Sequence, residues 1–322
     1  MDKIPWIEKY RPKTISELVI DPSISNKIHK IVQERDMPNI IITGLPGIGK
    51  TTTIMCLARA LLGKYEKEGV LDLNASDDRG IKAIQETINF CKKKIDINED
   101  DKIKYAEHKI ILLDEADNMT NKAQRLVNNL MGKYHKTTRF AFTCNNSSDI
   151  IEAIQSRCII FRYFRLTLKQ LTQRLQEIAV MENVKFDLGA LQEIAAASQG
   201  DMRQAINKLQ VIHNSYSVVN IENLAKLCDK PHPVIIRNIF LSCKNKKIRE
   251  ALLAIQELKN KGYSGSDIVL AMITFLKSYT NLDLPEPLKI NYLDKIGKTA
   301  YIVSKGIDSQ LQLTGCICSM CM

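Results

Sequence analysis

The sequence has no long apolar run. Ile40-Ile41-Ile42 and Ile110-Ile111-Leu112-Leu113 are strand-length, far short of the roughly 18 residues that cross a bilayer as a helix. An apolar leader is missing too, because Met1-Asp2-Lys3-Ile4-Pro5-Trp6-Ile7-Glu8-Lys9 is charged from its second residue. These absences point to a soluble intracellular chain with no membrane contact. Cysteine is sparse, nine in all, an odd number, and mostly set in apolar stretches such as those around Cys56 and Cys144. That excludes a disulfide framework and makes them small core residues in a reducing compartment. Only Cys316, Cys318 and Cys321 cluster, and no fourth Cys or His lies near them in sequence. A metal site therefore ranks well below three thiols in a loose C-terminus. Internal repeats and low-complexity stretches are absent.

What is present fits a folded protein. The 322 residues suffice for about two domains of ~150 residues, or three if some are small helical units. Hydrophobic and charged fractions of 45% and 25% exclude disorder, collagen and coiled-coil rods. Lys and Arg number 46 against 36 Asp and Glu, a net charge of +10. Residues 231–322 carry 12 basic against 7 acidic side chains. An anionic partner, nucleic acid first, accounts for this excess, as would simple solubility.

Between residues 38 and 162 short apolar segments alternate with helical patterns, which predicts a parallel α/β sheet. The candidate strands are 39–43, 70–74, 109–113, 139–143 and 158–161, with helices beginning near Gly49, Gly80 and Thr120. After Thr167 the periodicity becomes helical and stays so. Thr167 is a candidate N-cap, Leu188, Leu191 and Ile194 form a second stripe behind Asp187, and Gly200-Asp201 opens a third stripe over Ala205, Ile206, Leu209 and Ile212. Asp229-Lys230-Pro231-His232-Pro233 cannot continue a helix. Beyond it, stripes such as Leu252, Ile255, Leu258 predict a second helical domain. The layout is an α/β domain over 1–165, a small helical domain over 166–229 and an all-helical domain over 230–322.

Gly44-Leu45-Pro46-Gly47-Ile48-Gly49-Lys50-Thr51-Thr52 contains G-x-x-x-x-G-K-[ST], between a predicted strand and a predicted helix. Its glycines let backbone N–H groups curl toward phosphate oxygens, Lys50 reaches the terminal phosphates, and Thr51 offers its hydroxyl to Mg²⁺. Ile110-Ile111-Leu112-Leu113-Asp114-Glu115 is an apolar strand ending in two carboxylates, 63 residues beyond Thr51. Asp114 suits Mg²⁺, and Glu115 suits the base that activates water. The pairing argues for hydrolysis. Asn145 at the next strand's tip is either a turn residue or a phosphate reader. Arg157 is either a solvated surface charge or functional, and Arg203 either a helix-start charge or a phosphate sensor. Motif spacing leaves these three open.

Together these residues resemble the AAA+ clamp-loader ATPases, and closely the small subunits of replication factor C. The resemblance is carried by 6–12 (Trp-Ile-Glu-Lys-Tyr-Arg-Pro), the phosphate loop, 73–81, 114–117, 138–140, 155–158 (Gln-Ser-Arg-Cys) and 200–205 (Gly-Asp-Met-Arg-Gln-Ala). It spans nearly the whole chain, and residues 228–233 look most like the subfamily numbered two in vertebrate nomenclature. The family's fold is a parallel five-stranded P-loop AAA+ domain between helices, a helical lid and an all-helical collar that holds a pentamer. The resemblance implies Asn145 as first sensor, Arg203 as second sensor, and Arg157 as a finger acting in trans on a neighbour's ATP. It puts Tyr10, Arg11 and Pro12 beside the nucleotide and Arg79 toward DNA, with Lys82 adding a charge nearby. It implies ATP and Mg²⁺ as cofactors. The implied partners are the other replication factor C subunits in a heteropentamer, the sliding clamp (proliferating cell nuclear antigen) and primer-template DNA, in the nucleus. The chain departs from the family where paired arginines and a Met-Glu become Asn128-Asn129 and Met131-Gly132. A further family arginine is Gln85 here, and Leu45 and Ile48 replace Pro and Thr at unconstrained loop positions. The implied function is an ATPase that opens and loads the clamp. The alternatives are an ATP-binding scaffold subunit with little hydrolysis, or another AAA+ DNA-remodelling machine.

Overall fold

In the computed structural model, which describes residues 4–74, 81–93, 104–227, 231, 233–278, 284–306 and 310–321, the five apolar segments become strands. They are β1 (Ile40–Thr43), β2 (Val70–Asn74), β3 (Lys109–Asp114), β4 (Thr138–Cys144) and β5 (Ile159–Arg162). All pair in parallel, in the order β2-β3-β4-β1-β5. Ile40, Ile42, Ile110, Leu112 and Ala141 enter one core cluster, whereas Ile41, Ile111, Leu113, Phe140 and Phe142 enter another. A parallel sheet covered on both faces needs both sets, which is why the central strands β1 and β3 carry consecutive apolar residues instead of alternate ones. Burying each Ile, Leu or Phe among them contributes roughly 1.5–3 kcal/mol.

The helices of this unit are α1 (Trp6–Lys9), α2 (Pro22–Glu34), α3 (Lys50–Leu62), α4 (Glu66–Gly69), α5 (Ile81–Lys92), α6 (Asn121–Lys133) and α7 (Glu152–Gln155). Ile24, Ile28 and Ile31 of α2 and Ile54, Leu57 and Leu61 of α3 cover one face of the sheet, and Val127 and Met131 of α6 the other. Thr120 caps α6 by accepting from the Ala123 amide at 3.3 Å.

After β5 come α8 (Leu168–Met181), α9 (Leu188–Ala197) and α10 (Met202–Tyr216). Thr167 and Gln170 close a reciprocal capping box on α8, and Asp201 caps α10 through the Gln204 amide at 3.0 Å. The helical periodicity does not hold throughout, because Lys185–Phe186 (β6) and Val218–Val219 (β7) form a two-stranded parallel sheet. Two-residue strands are too short to show a period of two.

Residues Met1–Ile221 and Glu222–Met322 are separate compact units. The second contains α11 (Ile221–Leu227, apart from its first residue), α12 (Pro233–Lys244), α13 (Ile248–Asn260), α14 (Gly265–Ser278), α15 (Glu286–Ser304) and α16 (Gln310–Cys321). Its core centres on Phe240, stacked on Phe275 and Tyr292 at centroid distances of 5.9 and 6.0 Å. The chain's end is not loose up to Cys321. Leu313, Cys316, Ile317 and Met320 recur at helical spacing, so α16 buries them with Cys321 in the same cluster as Cys243. Among the described residues no cluster of three or more His, Cys, Asp or Glu side chains is placed to hold a metal ion, and no helix is long and apolar enough to cross a membrane.

Candidate active site

The carboxyl ends of β1, β4 and β3 lie side by side, and in an open parallel sheet ligands bind outside these ends. From β1 the chain turns through Gly44–Gly49 into α3. Gly47 and Gly49 have φ of 72° and 92°, a left-handed backbone that favours glycine. A β-carbon on Gly47 would also collide with the Asp201 carboxylate. Leu45 is exposed, but Ile48 is 4% exposed and packs into the core beneath the loop. That position is therefore set by packing and is not free.

Lys50 donates to the carbonyls of Gly44 and Leu45 at 2.6 and 3.0 Å and to Asn145 Oδ1 at 2.9 Å. Burial draws its ammonium below the ordinary lysine value. Thr51 Oγ1 lies 3.0 and 2.9 Å from the two carboxylate oxygens of Asp114. A hydroxyl and a carboxylate converging on one point are the hard oxygen donors that suit Mg²⁺. Thr143 also donates to Asp114 Oδ1 and accepts from the Glu115 amide at 3.2 Å. Glu115 sits at φ 52° and ψ 42°, a left-handed conformation uncommon outside glycine, at the turn that follows β3. Asn145 is fixed by its backbone N–H, which donates to Asp117 Oδ2 at 3.0 Å.

Two further segments close the cleft. Arg203 in the first turn of α10 lines it, and the Met202 amide donates to the Gly47 carbonyl at 3.1 Å. On the other side run Tyr10, Arg11 and Pro12, with Arg11 Nε donating to Thr52 Oγ1 at 3.3 Å. The segment is fastened to α10 and to the end of α8. Trp6 stacks on His213 at 5.4 Å, Lys9 Nζ lies 2.6 Å from Glu182 Oε1, and the Tyr10 hydroxyl donates to that same oxygen at 2.8 Å. Burial raises Glu182, but the hydrogen bonds from Lys9 and Tyr10 outweigh it and leave the carboxyl below its usual range.

One cleft of about 240 Å³ thus gathers Pro46 to Thr52, Asp114, Glu115, Asn145, Arg203 and Tyr10 to Pro12. Arg157 is elsewhere. It lines a wider groove of about 750 Å³ at the amino ends of β1, β4 and β5, where Nη1 donates to Asn128 Oδ1 at 2.7 Å and to its carbonyl at 3.0 Å. That groove holds no residue of the phosphate loop or the acidic pair, so the smaller cleft is the one with the chemistry. Arg79 lies outside the described residues, as does the Lys82 side chain, although Lys82 falls within α5. Sequence reasoning missed Arg174, which lines the cleft and donates to the Tyr10 carbonyl at 3.2 Å. It also missed Glu182 and Thr143. Nothing local distinguishes Arg174 or Glu182 from solvated helix charges.

Comparison with known proteins gives three matching family models. These are the AAA family of ATPases associated with various cellular activities over residues 40–166, the RCF1/5-like AAA+ ATPase lid domain over 173–213, and the replication factor C C-terminal domain over 231–319. Replication factor C subunit 4 of Schizosaccharomyces pombe is 42% identical over 99% of this chain and 91% of its own. Subunit 2 of Arabidopsis thaliana is 39% identical over 98% and 92%. The small subunit of Sulfolobus acidocaldarius is 35% identical over 100% and 97%. Among solved structures, the Thermotoga maritima RuvB Holliday junction branch migration motor superposes with a TM-score of 0.57 over 72% of this chain and 78% of its own. At 15% identity that likeness concerns the fold alone.

Proposed function

Because the chain belongs to the replication factor C small subunits, the AAA+ ATPases of clamp loaders, we propose that its cleft binds ATP and Mg²⁺ and hydrolyses the nucleotide to time the release of a sliding clamp onto primer-template DNA. The observation that carries this reading is the approach of Thr51 to both oxygens of Asp114, with Lys50, Glu115, Asn145 and Arg203 around the same cleft.

Lys50 neutralises the terminal phosphates and Thr51 and Asp114 hold the metal. When bound, Mg²⁺ supplies positive charge against the phosphate oxygens. Glu115 orients a water and takes its proton as the water attacks the γ-phosphorus, the bond to the β,γ-bridging oxygen breaks, and ADP leaves with that oxygen. Asn145 and Arg203 contact the phosphate from β4 and from the lid. Arg157, which lines a groove apart from this chain's own cleft, serves a neighbouring subunit's ATP. Residues 1–165, 166–229 and 230–322 act as ATPase domain, lid and oligomerising collar. The clamp is proliferating cell nuclear antigen and the compartment the nucleus. Arg79 and Lys82 meet DNA phosphates, adding to a salt-dependent affinity that no single contact determines. ATP favours the closed, clamp-gripping arrangement, and hydrolysis removes that preference.

The test is Glu115→Gln in the assembled complex. ATP should still bind, with turnover at this site lower by about 10²- to 10⁴-fold. Unchanged turnover would leave the scaffold reading, in which this subunit binds ATP without hydrolysing it.

A further inference from the structure

Near its carboxyl end β4 carries a buried polar side chain to which no role in binding phosphate has been given. Thr143, two residues before Asn145, is 1% exposed. Strand alternation puts it on the face opposite Phe140 and Phe142, beside Ile42 of β1 in register. A hydroxyl this deep is tolerated only when hydrogen-bonded, and its two partners are the acidic pair. Oγ1 donates to Asp114 Oδ1, the oxygen that also lies 3.0 Å from Thr51 Oγ1, and accepts from the Glu115 amide at 3.2 Å. One oxygen atom therefore holds the side chain of the first acid and the backbone of the second. The second needs holding, since Glu115 occupies a left-handed conformation that a residue with a side chain keeps only when its surroundings impose it. The turn is fixed from its far side by the Asn118 amide on the Glu115 carbonyl at 2.9 Å. Thr143 supplies the near side.

We infer that Thr143 is a positioning residue for ATP hydrolysis. Its hydroxyl fixes the Asp114 carboxylate toward Thr51 and pins the left-handed turn from which Glu115 is presented at the end of β3. The inference rests on the roles proposed above for Asp114 and Glu115. Thr143 exchanges no proton with substrate and touches no phosphate; it acts through the two acids. Misplacing a reacting group by about 1 Å costs on the order of a hundredfold in rate, so losing a shared anchor should be visible in kcat and not in nucleotide affinity.

The experiment uses the assembled clamp loader with the phosphate-loop lysine of every other ATPase subunit replaced by alanine, so that turnover comes from this chain. Thr143→Val keeps the shape and removes the hydroxyl, whereas Thr143→Ser keeps the hydroxyl and removes the methyl. The valine variant should lose about tenfold to a hundredfold in kcat, with KM for ATP within about threefold of wild type. Mn²⁺ binding to its ADP complex, followed by electron paramagnetic resonance on the full chain, should weaken about fivefold or more. The serine variant should stay within about threefold on all three measures. A valine variant with wild-type kcat and Mn²⁺ affinity overturns the inference. So does a serine variant as impaired as valine, because the methyl and not the hydroxyl would then matter. Glu115→Gln in the same assembly separates this failure from failure of the underlying roles: normal turnover there removes those roles and the inference with them. Should the valine variant not fold, Thr143→Ala takes its place in the same comparison.

Discussion

Asn145 Oδ1 accepts a hydrogen bond from the Lys50 ammonium at 2.9 Å, so the tip of β4 and the first residue of α3 hold each other across the phosphate loop. Two carbonyls, of Gly44 and Leu45, hold Lys50 as well. Asn145→Ala therefore leaves Lys50 in place, and ATP affinity should fall by no more than about threefold. Hydrolysis should drop about tenfold to a hundredfold, because the amide would act on charge that develops in the transition state. Fluorescent-nucleotide titration beside steady-state turnover separates the two. A large loss of affinity with unchanged kcat would assign Asn145 to ground-state binding instead.

The Glu182 carboxylate fastens the N-terminal strap to the lid through Lys9 and Tyr10. Glu182→Gln keeps an acceptor but removes the charge. ATP dissociation should speed up by about three- to tenfold, with the melting temperature nearly unchanged, as for other partly exposed ion pairs. Stopped-flow release of a labelled nucleotide reads this directly. A variant with wild-type release would show that the strap stays seated through Trp6 and His213 alone.

Arg157 donates twice to Asn128 and lines a groove apart from this chain's cleft. Arg157→Ala should leave this chain's own nucleotide affinity untouched and lower hydrolysis in the adjacent subunit by about 10²-fold or more. Turnover in assemblies with only one competent site at a time distinguishes the two. A loss confined to this chain's own site would refute action in trans.

His108 is 6% exposed, and among the described residues its Nε2 has no hydrogen-bond partner. Burial first, and the Arg139 guanidinium next, push the imidazole from 6.5 down to about 4, against a small opposing pull from Asp36. Between those values the unfolded chain binds the extra proton. The contribution to stability is therefore whole above about pH 6.5 and is lost as the pH falls through about 4. At pH 5 the loss is about 2 kcal/mol relative to pH 7.5. Urea unfolding of the N-terminal unit at both values should show this, and His108→Phe should abolish that part of the acid sensitivity. Equal pH dependence in the two proteins would exclude His108 as its source.

The features legible in the sequence are those whose cause is local. The phosphate loop announces itself because glycine, lysine and threonine are needed at fixed spacings, and the strands show because a doubly covered parallel sheet puts apolar residues at consecutive positions, most fully in β1 and β3. Helix starts at Thr120, Thr167, Asp187 and Asp201 are legible likewise, and in each the side chain bonds an amide two or three residues away. The remainder depends on contacts distant in sequence. Lys9 and Glu182 are 173 residues apart, and nothing near either one predicts their meeting. The strand order follows from helix crossings and not from strand composition. Thr143 looks like an ordinary β-branched strand residue until β3 lies beside it. Ile48 seems free within its motif because the motif encodes phosphate contact and says nothing of the core beneath.

The hydrogen bond from the Met202 amide to the Gly47 carbonyl makes the crest of the phosphate loop the fulcrum of a lever. α10 runs 15 residues from that point, about 22 Å at the helical rise. A tilt of only about 5° at the loop carries the Tyr216 end through about 2 Å. A displacement too small to matter among phosphates thus becomes, at the far end of the lid, comparable to the helix shifts that reset subunit contacts.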